Sequence, residues 1–306
     1  MSEKRIDNSP GLSIIMHVID NLFNMEGMKM KKALAFLMAV SLVLGMISFA
    51  SADVLSDIQK KGVLVVGASV EFPPYEFYYT NPETGKEEFA GFDMKLAQGI
   101  ADALGVKLEI MDQSFAGLIT ALRAGEVDMI VSGMAIKPER LEVVDFSDSY
   151  YTGTQIMLVR AADYDTLNTV EAMAGKKVGA QMGSLQAGIL DEQFSSCEPL
   201  VMDNITLLVM DLLQGSLDGV LLTDTVAKTY MALNVDENGN SLLAISEVPV
   251  VYDNGAGVGV AVAKGDNESL LKLVNEYIAK VKSDGTFDGW VDEATAQNAT
   301  LLNTDK

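Results

Sequence analysis

From residue 53 onward, short apolar runs alternate with amphipathic segments of helical period, the pattern of α/β domains built on mostly parallel sheets. Residues 61–69 (KGVLVVGAS) predict a first strand that ends in small side chains. Residues 91–105 predict a helix with Asp93 as N-cap and Gly105 as stop, and 106–112 the next strand. A helix over 114–128, closed by Gly125, leads into a buried strand over 129–134. After Tyr151 a second series begins: strands over 155–160, 176–181 and 217–222, and helices over 184–194, 204–215 and 223–233. A strand over 257–266 and a long helix over 268–285 follow. Alone they would leave their apolar faces uncovered, so they are expected to return to the first unit. Two crossings, near 150–155 and 253–258, would then join two lobes as a hinge, with the cleft between them as the ligand site.

The N-terminus follows a different pattern. Lys29, Lys31 and Lys32 precede an apolar run from Ala33 to Ala50 and a small-residue site at Ala50, Ser51 and Ala52, the layout of a cleaved secretory signal. The expected organisation is a non-native or disordered extension over 1–27 and a signal peptide over 28–52. Lobe 1 would then be made from 53–152 plus 255–306, and lobe 2 from 153–254. The single cysteine, Cys197, makes neither an internal disulfide nor a lipid attachment point behind the signal. The expected location is therefore the periplasm, without an anchor.

Charge narrows the choice of partner. The 306 residues carry 22 basic and 43 acidic side chains. Five of the basic and four of the acidic ones precede Asp53, which leaves a net charge of −22 beyond it. Nucleic acid is a poor partner for such a surface. The only histidine, His17, also lies upstream, so histidine triads and histidine-ligated metals are excluded from the exported part, and no cofactor is expected. Only Arg123, Arg140 and Arg160 remain as arginines. Arg140 stands in residues 133–140 (GMAIKPER), just past a glycine-containing strand end and inside a short capped turn. A guanidinium there offers a planar, permanently charged fork to a small carboxylate.

Several motifs occur in a fixed order: FPPYEF (72–77), GFDMKLAQGIADALG (91–105), SFAGLITALRAGEVDMIVSGMAIKPERLEVVDFSDSYY (114–151), VGAQMGS (178–184), VAKGD (262–266) and SDGTFDGW (283–290). Through them, residues 53–290 resemble the periplasmic polar amino-acid binding proteins of ABC importers, solute-binding protein family 3. The resemblance implies an α/β, two-lobed Venus-flytrap fold of the type 2 periplasmic-binding class, with two mixed sheets joined by a double-crossover hinge. It implies a monomer that closes on a free amino acid and presents it to ABC permease subunits. Carried over by position, Arg140 takes the ligand carboxylate, helped by Gly133, Ala135 and Ser184. Phe72 and Phe115 flank the ligand side chain, and Gln181 helps select it. Ala135 stands where the family usually has Ser or Thr. The family's ammonium-binding Asp aligns with Thr223; Asp224, one residue on, and Glu71, in the loop after the first strand, are the alternative acids.

Each position also has a plainer reading. Arg140 could pair with Glu142 or Asp145 at the surface, the two phenylalanines could be ordinary core, and Asp224 could simply favour its helix start. An exported enzyme on the same scaffold, resembling cyclohexadienyl dehydratases, would need a general acid, for which Glu71 is the candidate.

Overall fold

The computed structural model describes residues 53–252 and 257–301; the extension and signal expected over 1–52, and part of the second crossing, lie outside the described residues. Helix α1 (Val54–Lys61) leads into β1 (Val63–Ala68), followed by the hairpin β2 (Phe77–Thr80) and β3 (Glu87–Ala90), helix α2 (Phe92–Leu104) and β4 (Lys107–Asp112). A 3₁₀ turn (Phe115–Gly117) opens α3 (Leu118–Ala124), before β5 (Met129–Ile130), the one-turn α4 (Pro138–Leu141) and β6 (Val144–Phe146). The second series runs β7 (Gln155–Arg160), β8 (Lys177–Gln181), α5 (Leu185–Gln193), β9 (Glu198–Met202), α6 (Ile205–Gln214), β10 (Gly219–Thr223), α7 (Asp224–Leu233) and β11 (Leu243–Ile245). Then come β12 (Ala261–Ala263), α8 (Glu268–Ser283) and α9 (Thr286–Leu301).

The strands form two five-stranded mixed sheets, ordered β4-β1-β5-β12-β6 and β11-β7-β10-β8-β9. In the first, β1 is parallel to β4 and β5, whereas β12 runs antiparallel to β5 and β6. The late strand therefore does return to the first sheet. In the second, β8, β9 and β10 are parallel and β7 is antiparallel to β10 and β11. Central strands read as nearly continuous apolar runs because helices cover both faces. Helix α2 buries Phe92, Leu96 and Ile100 completely. Each such side chain contributes about 1.5–3 kcal/mol of transfer free energy.

Three local expectations are corrected. Asp93 is not the cap of α2: Gly91 occupies that position at φ +114°, and Asp93 is buried in the first turn. The stretch over 129–134 contributes only Met129–Ile130 to the ladder. The helix expected over 268–285 ends at Ser283, and a further helix not expected, α9, follows the turn in which Asp284 accepts a hydrogen bond from the Thr286 N–H at 2.9 Å. The stop at Gly105 is as expected; its φ of +72° lets its N–H turn back onto the last turn of α2.

Between the sheets, the described residues of the two crossings pair with each other. Val258 N donates to Tyr151 O at 2.9 Å, and Tyr150 N donates to Val258 O at 3.1 Å. Ile136 N joins the same band through Gly257 O at 2.9 Å. Among the described residues, no helix is long and apolar enough to cross a membrane.

Candidate functional site

The ends of β1, β5, β8 and β10 converge on one cavity of about 430 Å³, part of it continuous with solvent. Phe72, Phe115, Gly133, Ala135, Arg140, Gln181 and Ser184 all line it. Arg140 reaches it because Pro138 starts α4 immediately after an extended Lys137, a one-turn helix that turns residue 140 inward. Its side chain is 7% exposed. Nη1 donates to Ala135 O at 2.7 Å, and Nη2 donates across the cleft to Gly183 O at 3.0 Å. The guanidinium carbon lies 5.5 Å from the centre of the Phe115 ring. Among the described residues no carboxylate pairs with Arg140: Glu139 turns to Lys137 and Asp145 to Lys264. Desolvation pulls the guanidinium down to about 10, which leaves it charged at neutral pH and short of a counter-anion.

Ser184 presents the start of α5 to the same cavity. Its hydroxyl caps the helix by accepting from Ala187 N at 3.1 Å, and the exposed N–H groups of the first turn favour an anion. Ser184→Ala should lower stability by about 0.5–2 kcal/mol in a urea melt, and an unshifted midpoint would mean the cap contributes nothing. Gln181 lines the wall with its amide committed to Asp203 O at 3.1 Å.

Asp224 and Glu71 are absent from this wall. Asp224 accepts from Thr154 N at 3.1 Å and pairs with Lys228 at 2.8 Å, beside the first crossing. The strand ends between the two residues: Thr223 is the last residue of β10, in register with Gln155 of β7, and both of these face the cavity, whereas Asp224 opens α7. Glu71 lies in an outer groove with Asp112, Gln113 and, from the second lobe, Asp203 and Asn204. Ser69 lines both groove and cavity. Burial and the Asp112 carboxylate hold the Glu71 carboxyl above its usual range.

Sequence reasoning did not single out Ser69, Glu76, Gln155, Leu185, Gln186 and Val258, which complete the wall with Thr223. Glu76 carried the clearest overlooked signal, an acid set within the aromatic segment 72–77. It is fully buried, with Oε1 accepting from the Ser132 hydroxyl at 2.6 Å. Next to it, Asp93 Oδ2 accepts from Gly133 N at 2.7 Å and from the Tyr150 hydroxyl at 2.8 Å. Burial and mutual repulsion push Glu76 well above the carboxylate range. Burial raises Asp93 to about 7, against the opposing pull of the Gly133 N–H and the Tyr150 hydroxyl.

The folded chain thus holds a proton here more tightly than the unfolded chain does. That stabilisation is complete below the ordinary aspartate value of 3.8 and is lost as pH rises through about 7. Melting temperatures from pH 4 to 8 should fall more steeply for the wild type than for Asp93→Asn, and parallel curves would exclude the effect.

A polar cavity clasped between two hinged α/β lobes, with a buried guanidinium on its wall, is the site of a solute-binding protein. The chain belongs to the bacterial extracellular solute-binding proteins, family 3, which it matches over residues 64–293. Its architecture is the two-lobed, type 2 periplasmic-binding fold that the motifs implied. The L-cystine-binding protein TcyJ of Escherichia coli (strain K12) is 31% identical over 258 residues, 84% of this chain and 92% of that protein. Among solved structures, an amino acid ABC transporter substrate-binding protein from Streptococcus pneumoniae Canada MDR_19A, bound to L-arginine, is 32% identical with a TM-score of 0.74. The match covers 80% of this chain and 98% of that one. The ancestral amino acid-binding protein AncCDT-1, described as a precursor of cyclohexadienyl dehydratase, is 30% identical with a TM-score of 0.69, over 79% of this chain and 99% of that one. These are binding proteins by name, and this chain is read as one of them rather than as an enzyme.

Proposed function

We propose that this protein captures a free polar amino acid between its lobes outside the cytoplasm and delivers it to the membrane subunits of an ABC-type permease. It does so as a monomer in the periplasm. The observation that carries this reading is Arg140: a charged fork, nearly dry, with no carboxylate partner among the described residues. The ligand carboxylate supplies that partner, since a charge-assisted, bidentate pair is a stronger use of the fork than main-chain carbonyls are. Ser184 and the first turn of α5 assist, and Phe72 and Phe115 flank the side chain.

The lining also indicates which side chains fit. Ser69 lines both the cavity and the groove of Glu71, Asp112 and Asp203, which places acidic groups near one end of the cavity, so a long side chain with a cationic end, such as that of arginine, is favoured over an acidic one. Ligand at a thousandfold excess over its Kd stabilises the folded form by about 4 kcal/mol. A thermal-shift screen of the twenty amino acids should therefore give its largest response with a basic or amide side chain and none with aspartate. A flat response to all twenty would reject the function.

The dehydratase reading loses its candidate acid, because Glu71 lies in the outer groove and not on the cavity wall.

A further inference from the structure

We propose that the interlobe site also takes amino acids whose α-nitrogen carries a small neutral acyl group, seated in a second chamber behind the binding cavity. The inference rests on the reading that Arg140 holds the ligand carboxylate, and it widens the ligand class drawn from it. The second chamber, about 350 Å³ and in part continuous with solvent, borders the first: Ala135, Gln155 and Thr223 line both. Beyond them it is walled by Ile136, Tyr252, Gly153 of the first crossing and Gly257 of the second.

The chemistry of the second chamber suits a neutral group. No charged side chain among the described residues lines it. Glu76, the acid of the first cavity, is committed to the Ser132 hydroxyl and to Asp93, and it is not part of this lining. Asp224 is not part of it either and pairs with Lys228 at 2.8 Å. Tyr75 and Thr223, whose hydroxyls hydrogen-bond each other, stand on the chamber wall with Tyr252 as a further neutral polar group. A bare ammonium would be desolvated here without a counter-charge, whereas an amide needs only neutral partners and its acyl carbons match Ile136 and Leu185.

The orientation of the ligand leads to the same place. Its α-carbon carries three heavy substituents. With the carboxylate at Arg140 and Ser184 and the side chain between Phe72 and Phe115, the nitrogen faces the remaining side of the cavity, where Ala135 and Thr223 adjoin the second chamber. At both positions this chain departs from the pattern it resembles. Ala135 brings no hydroxyl where Ser or Thr is usual, and Thr223 brings no charge where an Asp would meet an ammonium. Both departures remove partners of a bare ammonium and leave the way to the chamber uncharged.

Gly153 offers a way to close the chamber. A Cβ there would lie 3.4 Å from Thr223 Cβ and 3.5 Å from Tyr75 Oη and Asp224 Oδ1, all ordinary contacts, so Gly153→Leu places its branch in the space an acyl group would use. The test is isothermal titration of the whole protein with L-arginine and L-glutamine, and with Nα-acetyl-L-arginine and Nα-acetyl-L-glutamine. In wild type the acetylated compounds should bind within about tenfold of their parents, whereas a cleft that relied on a buried acid against the ammonium would penalise them by about 100-fold or more. Gly153→Leu should weaken the acetylated compounds by at least about tenfold and the parents by less than about threefold. Thr223→Asp, which returns an acid to the nitrogen end, should move the preference towards the parents by about tenfold or more, and it tests the proposal even if the leucine variant does not fold. Loss of the acetylated compounds alone in wild type would overturn the proposal, as would equal weakening of both classes by Gly153→Leu or an unmoved preference in Thr223→Asp. Wild type that binds none of the four would remove the amino-acid reading itself and this proposal with it, a result distinct from the others.

Discussion

Arg140→Ala should weaken amino-acid binding by on the order of 2–5 kcal/mol, measured as the change in Kd by calorimetry. The size follows from burial. A guanidinium at the surface would contribute little, because water screens the pair it makes. Arg140 is 7% exposed, and its fork already spans the cleft from Ala135 O to Gly183 O. Truncation leaves the ligand carboxylate desolvated with only Ser184 and the first N–H groups of α5 to meet it, and it removes the bond from Arg140 Nη2 to Gly183 O of the second lobe. Arg140→Lys should recover only part of the loss: the charge is kept, but an ammonium cannot present two parallel donors to a carboxylate. An alanine variant with wild-type affinity would mean that the carboxylate binds elsewhere and would overturn the functional reading.

Gly91→Ala should be the most disruptive of the single-methyl changes, destabilising the fold by on the order of 3 kcal/mol or more in chemical denaturation. A Cβ at this position would lie 2.0 Å from Tyr75 O and 2.9 Å from Glu76 Cα, both backbone atoms that cannot swing aside. The φ of +114° is also one that side-chain-bearing residues rarely adopt. The clash falls where Phe92 N and Asp93 N tie α2 to the segment carrying Phe72 and Glu76, through Pro74 O at 3.1 Å and Tyr75 O at 2.9 Å. The damage should therefore reach the binding site, and any folded fraction of Gly91→Ala should bind amino acids more weakly than wild type. Full stability together with full affinity would show that the segment can shift without consequence.

The elements most legible in the sequence were those whose faces are set by local rules. Gly105 and Gly125 end helices where the periodicity stops, and Ser184 and Asn204 cap the helices they precede. Less legible were features that depend on partners distant in sequence. The β2–β3 hairpin is short, with Phe89 exposed, so it carries no run of alternating burial to announce it. Asp93 looks like a cap by composition, yet Gly91 serves as the cap and Asp93 turns inward to Gly133 and Tyr150, 40 and 57 residues away.

The wall of the cavity divides in the same way. Arg140, Phe72 and Ser184 stand inside motifs whose local turns aim them, so their placement could be anticipated. Thr223 against Asp224 could not be decided from spacing, because the boundary between strand and helix falls between them; the pairing of Thr223 with Gln155 places Thr223 at the strand end that faces the cavity, and Asp224 opens α7.

The chain by itself determined the α/β class, the family and the arginine on which the binding reading rests, because these follow from periodicity and contiguous motifs. Only the tertiary structure decided which acid stands at the cavity. Glu76 is placed there by the meeting of β1, α2 and β5, and its protonation by the neighbouring Asp93 and the water that folding removes. Burial and long-range neighbours govern both, and neither is a property of any local stretch of sequence.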